Sequence, residues 1–167
     1  MGVSQIPAST ASTGNRSWVQ LGTSSPTSGS TVSFTSLTAY SFYRVVVWNA
    51  NFNTSAQPTM RFNNDSGNNY SHVYTVTTGG TYTSIGNAAS SGIVFNVGGN
   101  TTSFMTDVLI DNTSNLTSTS SWSNWASGNP SPSGDGFWNG NAQINRIDIF
   151  VSAASFTSGT ITVYGSN

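Results

Sequence analysis

The sequence predicts an all-β protein, a single antiparallel β-sandwich of two sheets and eight to ten strands, on three observations. Charged residues make up 5% of the 167 positions, and Lys and Glu are both absent, so the residues that normally fill exposed helix positions are missing. The polar positions are instead Ser, Thr, Asn and Gly, which favour turns, caps and strand surfaces. Short segments of alternating apolar residues recur between turn signals, with no helical period and no internal repeat. Nine Phe, six Tyr and five Trp supply the buriable area that a disordered chain lacks.

Taken in order, residues 1–17 are small, polar and broken by Pro7, which predicts an extended arm ahead of a β-sandwich domain over residues 18–167. Trp18–Leu21 reads as a first short strand, Gly22–Ser30 as a turn, and Thr31–Thr35 as a strand with Val32 and Phe34 on one face. Phe42–Ala50 (FYRVVVWNA) is the strongest strand. Phe42, Val46 and Trp48 share one face and Tyr43, Val45 and Val47 the other, so a central strand covered on both faces is expected.

Asn51–Pro58 reads as a loop, with Pro58 at the start of a strand where a missing N–H is tolerated. Arg61–Val76 (RFNNDSGNNYSHVYTV) follows as strand, Asn/Asp/Gly turn and strand, forming either a hairpin or a corner. Thr77–Thr83 and Asn87–Gly92 read as loops around a short Tyr82–Ile85 strand. Ile93–Val97 and Ser103–Ile110 flank a Gly98–Gly99–Asn100 turn; Phe104, Val108 and Ile110 are expected inward, Met105, Asp107 and Leu109 outward. Thr113–Ser121 reads as an edge strand and Trp122–Trp138 as a long functional loop. Asn141–Val151 and Gly159–Gly165 supply the closing strands.

The composition excludes several functions. A net charge of −1 and the absence of a basic cluster argue against nucleic acid as a partner. Zero Cys excludes disulfides, thiolate catalysis and Cys-ligated zinc. No window approaches the roughly 18 apolar residues of a membrane helix, and residues 1–17 lack the basic start and apolar run of a signal peptide. Charge near zero favours association into a larger assembly over free dispersal.

The search for chemistry yields no catalytic residue and no cofactor. His72 is the one imidazole, and its YSHVY context makes it an ordinary strand residue; no G-x-S-x-G elbow accompanies it. Asp107 and Asp111 share a strand face, but four residues at about 3.3 Å each separate them by roughly 13 Å, outside the window for a glycosidase pair. Asp65 is the single metal candidate, a calcium reading set against an Asx-turn. Arg146 and Asp148 read as a structural ion pair. Trp122, Trp125, Phe137 and Trp138 are the binding or interface candidates, able to stack on sugar rings, to anchor a subunit interface, or to cap the core.

The runs YRVVVWN, MRFNNDSGNNYSHVY and INRIDIFVSAASFTSGTITVYG resemble, in that order, motifs of a set of tailed-bacteriophage virion proteins. Those are similar in a Y-R-x-[VIL]-x-[VIL] strand, an L-R-F-N-x-D-x-G-x-N-Y corner and a closing F-x-x-G-T-[IV]-x-[VL]-Y-G hairpin. The resemblance implies a jelly-roll-like sandwich acting as a non-enzymatic structural piece, either a capsid decoration or a minor tail or fibre-head domain. It implies a location on the particle surface after assembly in the host cytoplasm, with other virion proteins as partners and a homo-oligomer such as a trimer. Arg61, Asn63, Asp65, Gly67 and Tyr70 then form a structural corner. A carbohydrate-binding or host-receptor-binding module, with a surface glycan as partner, is the alternative.

Overall fold

The computed structural model of the protein describes residues 17–37, 40–78, 81–95, 101–113, 118–126 and 133–167, with 76–78, 101–102 and 118–126 through their backbone alone. Residues 1–16 of the expected arm and the Gly98–Gly99–Asn100 turn lie outside the described residues. The chain is all-β: the described residues form twelve strands and no helix. These are β1 (Val19–Ser24), β2 (Thr31–Phe34), β3 (Phe42–Ala56), β4 (Pro58–Phe62), β5 (Tyr70–Thr78) and β6 (Thr81–Ser90). They continue with β7 (Ile93–Val94), β8 (Thr101–Asp111), β9 (Ser118–Ala126), β10 (Ser133–Trp138), β11 (Ile147–Val151) and β12 (Phe156–Ser166).

The strands pair antiparallel throughout, in an eight-stranded order β1-β12-β3-β8-β9-β10-β5-β6 and a four-stranded order β2-β11-β4-β7. Alternation decides which side chains go inward. Tyr43, Val45 and Val47 of β3, Phe104, Val108 and Ile110 of β8, and Ile161 and Val163 of β12 are buried from the large sheet. Val32 and Phe34, Met60 and Phe62, Ile93, and Ile147, Ile149 and Val151 are buried from the small one. All belong to a single hydrophobic cluster, and burying side chains of this size stabilises by about 1.5–3 kcal/mol each before entropy is subtracted.

Four features differ from the sequence reading, each for an identifiable reason. Strand β3 is interior to its ladder, between β12 and β8, but only one of its faces is covered. Trp48 is 65% exposed, and Arg44 on the same face donates to Asp107 of β8 through both Nε, at 2.8 Å, and Nη2. An Arg interleaved with apolar residues was the sign that this face meets solvent. The strand also continues through the expected Asn51–Pro58 loop to Ala56, because Phe52 and Ala56 turn into the core.

Residues expected as loops and a short strand between Thr77 and Gly92 instead form the β5–β6 hairpin. Neither face of β6 is buried, so the sequence there has no alternation to read. Likewise Ser118–Ala126 and Ser133–Trp138 are strands, not an edge strand and a long loop, and they lie inside the large sheet between β8 and β5. Their Ser and Gly content reads as loop, while backbone pairing on both sides supplies the order that side chains do not. These additions bring the strands to twelve, above the expected eight to ten.

The β12–β3 ladder is irregular around Ser158 and Thr160, where Gly159 adopts φ 119°. A Cβ at Gly159 would lie 2.4 Å from Ala50 Cα and 2.8 Å from Asn49 O, both backbone atoms that cannot move aside. Gly159→Ala is expected to cost about 1–3 kcal/mol, read as a lower urea midpoint at unchanged slope. Gly86→Ala, where nothing stands within 4 Å of the new methyl, is the matched control and should leave the midpoint nearly unchanged.

Candidate functional site

The Arg61–Val76 stretch resolves as a corner. Strand β4 belongs to the small sheet and β5 to the large one, so the chain changes sheets between Phe62 and Tyr70. It does so through a turn in which Asn63 and Asn64 take φ 50° and 57° and the Asp65 N–H donates to the Phe62 carbonyl at 2.9 Å. Positive φ at both central positions is the type I′ pattern, tolerated by Asn.

Tyr70 fixes this corner. Its hydroxyl accepts from the Phe62 N–H at 2.9 Å and contacts the Phe62 and Asp65 carbonyls at 3.2 and 3.1 Å. The ring is fully buried, and burial pushes the phenol well above its ordinary range, with the nearby Asp65 charge adding to the effect. Asp65 gathers three donors: the Gly67 N–H at 2.8 Å, Asn69 Nδ2 at 3.0 Å and Trp138 Nε1 at 2.7 Å. Burial opposes its ionisation, but the Trp138, Asn69 and Gly67 hydrogen bonds outweigh that and hold the carboxyl below its ordinary range.

A Cβ at Gly67 would lie 2.9 Å from Asn69 Nδ2 and 3.1 Å from Asp65 Oδ1, so a larger residue there would have to displace these side-chain ends from their hydrogen bonds. Asn63 ties the corner to the next segment. Its Oδ1 accepts from the Asn145 and Arg146 N–H groups at 2.9 and 3.1 Å, and its Nδ2 donates to the Gln143 carbonyl at 2.9 Å. Arg61 joins this network through its charge, which helps keep Asp65 ionised, while its own contacts lie elsewhere: it donates to the Ser91 carbonyl at 2.9 Å and lies 4.4 Å above the Phe150 ring.

The four aromatic candidates separate. Trp138 is 2% exposed, stacked on Tyr70 at 6.2 Å and tilted against Phe62 at 5.6 Å. It is a core side chain whose indole N–H serves Asp65, and it leaves the set of surface candidates. Phe137, its neighbour on β10, is exposed. Pairing places Trp122 opposite Val108 and Trp125 opposite Met105; the side chains of both lie outside the described residues.

The carboxylates do not assemble. Asp107 is held by Arg44, Asp111 accepts from the Thr113 N–H at 2.8 Å, and the two remain four residues apart along β8. Asp148 is 3% exposed and receives Arg146 Nε at 2.9 and 3.0 Å. Its burial makes loss of the Arg more costly than for a surface pair. Among the described residues no group of three or more His, Asp or Glu converges as a metal site. Asp65, the calcium candidate, has its carboxylate engaged by N–H donors.

His72 lies on the core face of β5, stacked on Tyr74 at 6.0 Å. Its Nδ1 is buried without a hydrogen-bond partner among the described residues, and burial lowers its affinity for a proton. The uncovered face of the large sheet carries Trp48, which the sequence reading did not single out as a candidate, and Leu109, Val73 and Phe137, all exposed, along with the half-exposed Arg44–Asp107 pair. The chain matches no protein-family model, no curated protein and no solved structure.

Tyr70→Phe leaves three backbone groups without their hydroxyl partner and is expected to cost about 1–3 kcal/mol in urea unfolding. Asp65→Asn and Trp138→Phe should each destabilise, and their double variant by less than the sum, because they share one hydrogen bond.

His72 gives a separate pH signature. Its folded-state pKa lies below 6.5, so the unfolded chain binds the proton more readily and stability falls as pH drops below about 6.5. The midpoint should therefore be lower at about pH 5.5 than at about pH 7.5, and His72→Phe should flatten that difference. The contribution of Asp65 is lost only below 3.8 and does not overlap.

Proposed function

We propose that the chain is a non-enzymatic structural protein on the surface of a tailed-bacteriophage virion, a capsid decoration or knob or a tail-associated subunit. The observation that carries the reading is the use made of the corner motif. Asn63, Asp65, Gly67 and Tyr70, which resemble the corner of such virion proteins, hold one another and the backbone at the sheet change. The motif serves as structure, as a family of assembly subunits requires.

Strand order supports a jelly-roll-like sandwich within this proposal. In β1-β12-β3-β8 and β2-β11-β4-β7, each strand of one set has its chain neighbour at the same place in the other: β1 with β2, β12 with β11, β3 with β4, β8 with β7. A ribbon of paired strands rolled on itself produces this order, and jelly rolls recur in viral capsid and lectin domains. On this reading β5–β6 and β9–β10 are insertions that widen one sheet. Fold alone does not name a function, so the motif and the strand order are needed together. Attachment through an uncharged Ser/Thr/Asn surface and buried aromatics is insensitive to salt.

Trp48 favours a second reading, a glycan-binding module. Its ring is 65% exposed on the open sheet face, with Thr160 opposite it and Asn49 and Asn51 following it along β3. Such a ring can stack on a sugar while amides and hydroxyls bond its oxygens.

Mass spectrometry of purified virions of the encoding phage should find the chain as a stoichiometric component, and its absence overturns the virion reading. Deletion of the gene should leave host adsorption intact for a decoration and abolish it for a tail-associated subunit. Glycan-array binding lost in Trp48→Ala would establish the second reading instead.

A further inference from the structure

Among the described residues, strand β6 ends the eight-stranded sheet and is bonded to β5 alone. Every residue from Thr81 to Ala89 is exposed. Tyr82, Ser84 and Gly86 oppose Thr77, Thr75 and Val73, while Ile85 opposes the buried Tyr74, so neither face of the strand is covered. A strand held by one neighbour, with no buried face, gains little from the core and is marginal by itself.

Natural sheets guard such edges with charge, Pro, bulges, shortness or a covering element. β6 uses none of these along Thr81–Asn87. Its sequence TYTSIGNAAS carries no charge and no Pro over ten residues, and its register with β5 is regular from Thr81 to Asn87, the irregularity falling at the Tyr70 end. The opposite edge is guarded: β1 has six residues and a register shift between Gln20 and Gly22.

We propose that β6 is a self-association edge, pairing antiparallel with β6 of a second copy about a two-fold axis and joining the two eight-stranded sheets into one. The occupant is a second copy because a single two-fold pairing satisfies both free edges at once, as closed dimers do. An uncharged strand on a chain of net charge −1 offers no like-charge repulsion to its own copy. The regular stretch Thr81–Asn87, at about 3.3 Å per residue, gives a ladder of roughly 23 Å. Backbone pairing supplies affinity and the side chains register. Tyr82, 78% exposed, shares its face with Ser84 and Gly86, which leave room for a tyrosine from across the axis. The inference stands whether or not the chain is a virion subunit.

The test is the mass of the full chain by light scattering over a concentration series. The wild type is expected to be a dimer, and Ser84→Lys to raise its dissociation constant by about tenfold or more by setting like charges across the axis. Mixing Ser84→Lys with Ser84→Asp should restore a mixed dimer, which a misfolded variant could not do. A monomeric or trimeric wild type overturns the proposal. So does a dimer indifferent to Ser84→Lys, or one dispersed by Trp48→Lys on the open sheet face and not by Ser84→Lys.

Discussion

Leaving β4 in one sheet, the chain has to enter β5 in the other, and the Tyr70 hydroxyl determines where that step occurs. It bonds Phe62 at the last residue of β4 and Asp65 in the turn, while its own backbone opens β5. One tyrosine side chain therefore ties the end of one strand, the turn and the start of the next together. Trp138 brings β10 to the same point through the Asp65 carboxylate and the Tyr70 ring. Each of these bonds contributes only about 1 kcal/mol net, but leaving a buried partner unsatisfied costs about 1–3 kcal/mol, so the corner is cooperative.

The segment Gln143–Arg146, which leads into β11, depends on the same logic. It is not a strand, yet its backbone groups are satisfied: the Leu37 and Asn63 N–H groups donate to the Asn145 and Arg146 carbonyls at 2.9 and 3.0 Å, and side chains from elsewhere serve the rest. Asn63 serves Gln143, Asn145 and Arg146. The fully buried Asn112 accepts from the Ile144 N–H at 3.0 Å and donates to the Tyr40 carbonyl at 2.9 Å. Tyr43 donates to the Ile144 carbonyl at 2.9 Å, and burial raises its phenol pKa accordingly. Two asparagines and a tyrosine thus complete what two backbone bonds begin, which keeps an irregular stretch viable beside the core.

Legibility in the sequence followed burial. Where one face of a strand is covered, alternation is strong: Val32 and Phe34, Phe104, Val108 and Ile110, and Ile147, Ile149 and Val151 all go inward as their spacing requires. Where no face is covered, as in β6, or where Ser and Gly dominate, as in β9 and β10, the pairing is a tertiary fact that composition does not record. The corner residues could be read as turn-formers, but the choice between hairpin and corner depended on Tyr70 reaching Phe62. Trp138 could not be told from Phe137 without the strand that sends one inward and the other outward. Trp48 was legible in principle, because Arg44 two pairs earlier on its face marked that face as wet.

The scarcity of charge links fold and surface. Arg44 is engaged by Asp107, Arg146 by Asp148, and Arg61 by Phe150 and the Ser91 carbonyl. The described arginines are thus used in structural contacts, and with Lys and Glu absent no other long charged side chain stands among the described residues to guard an edge or repel a neighbour. Ordinary soluble domains rely on such charges to stay apart. A chain that dispenses with them leaves the β6 edge without charged guards, and contacts made there rest on backbone hydrogen bonds and ring burial that salt does not screen. The proposed β6 pairing would draw on that combination.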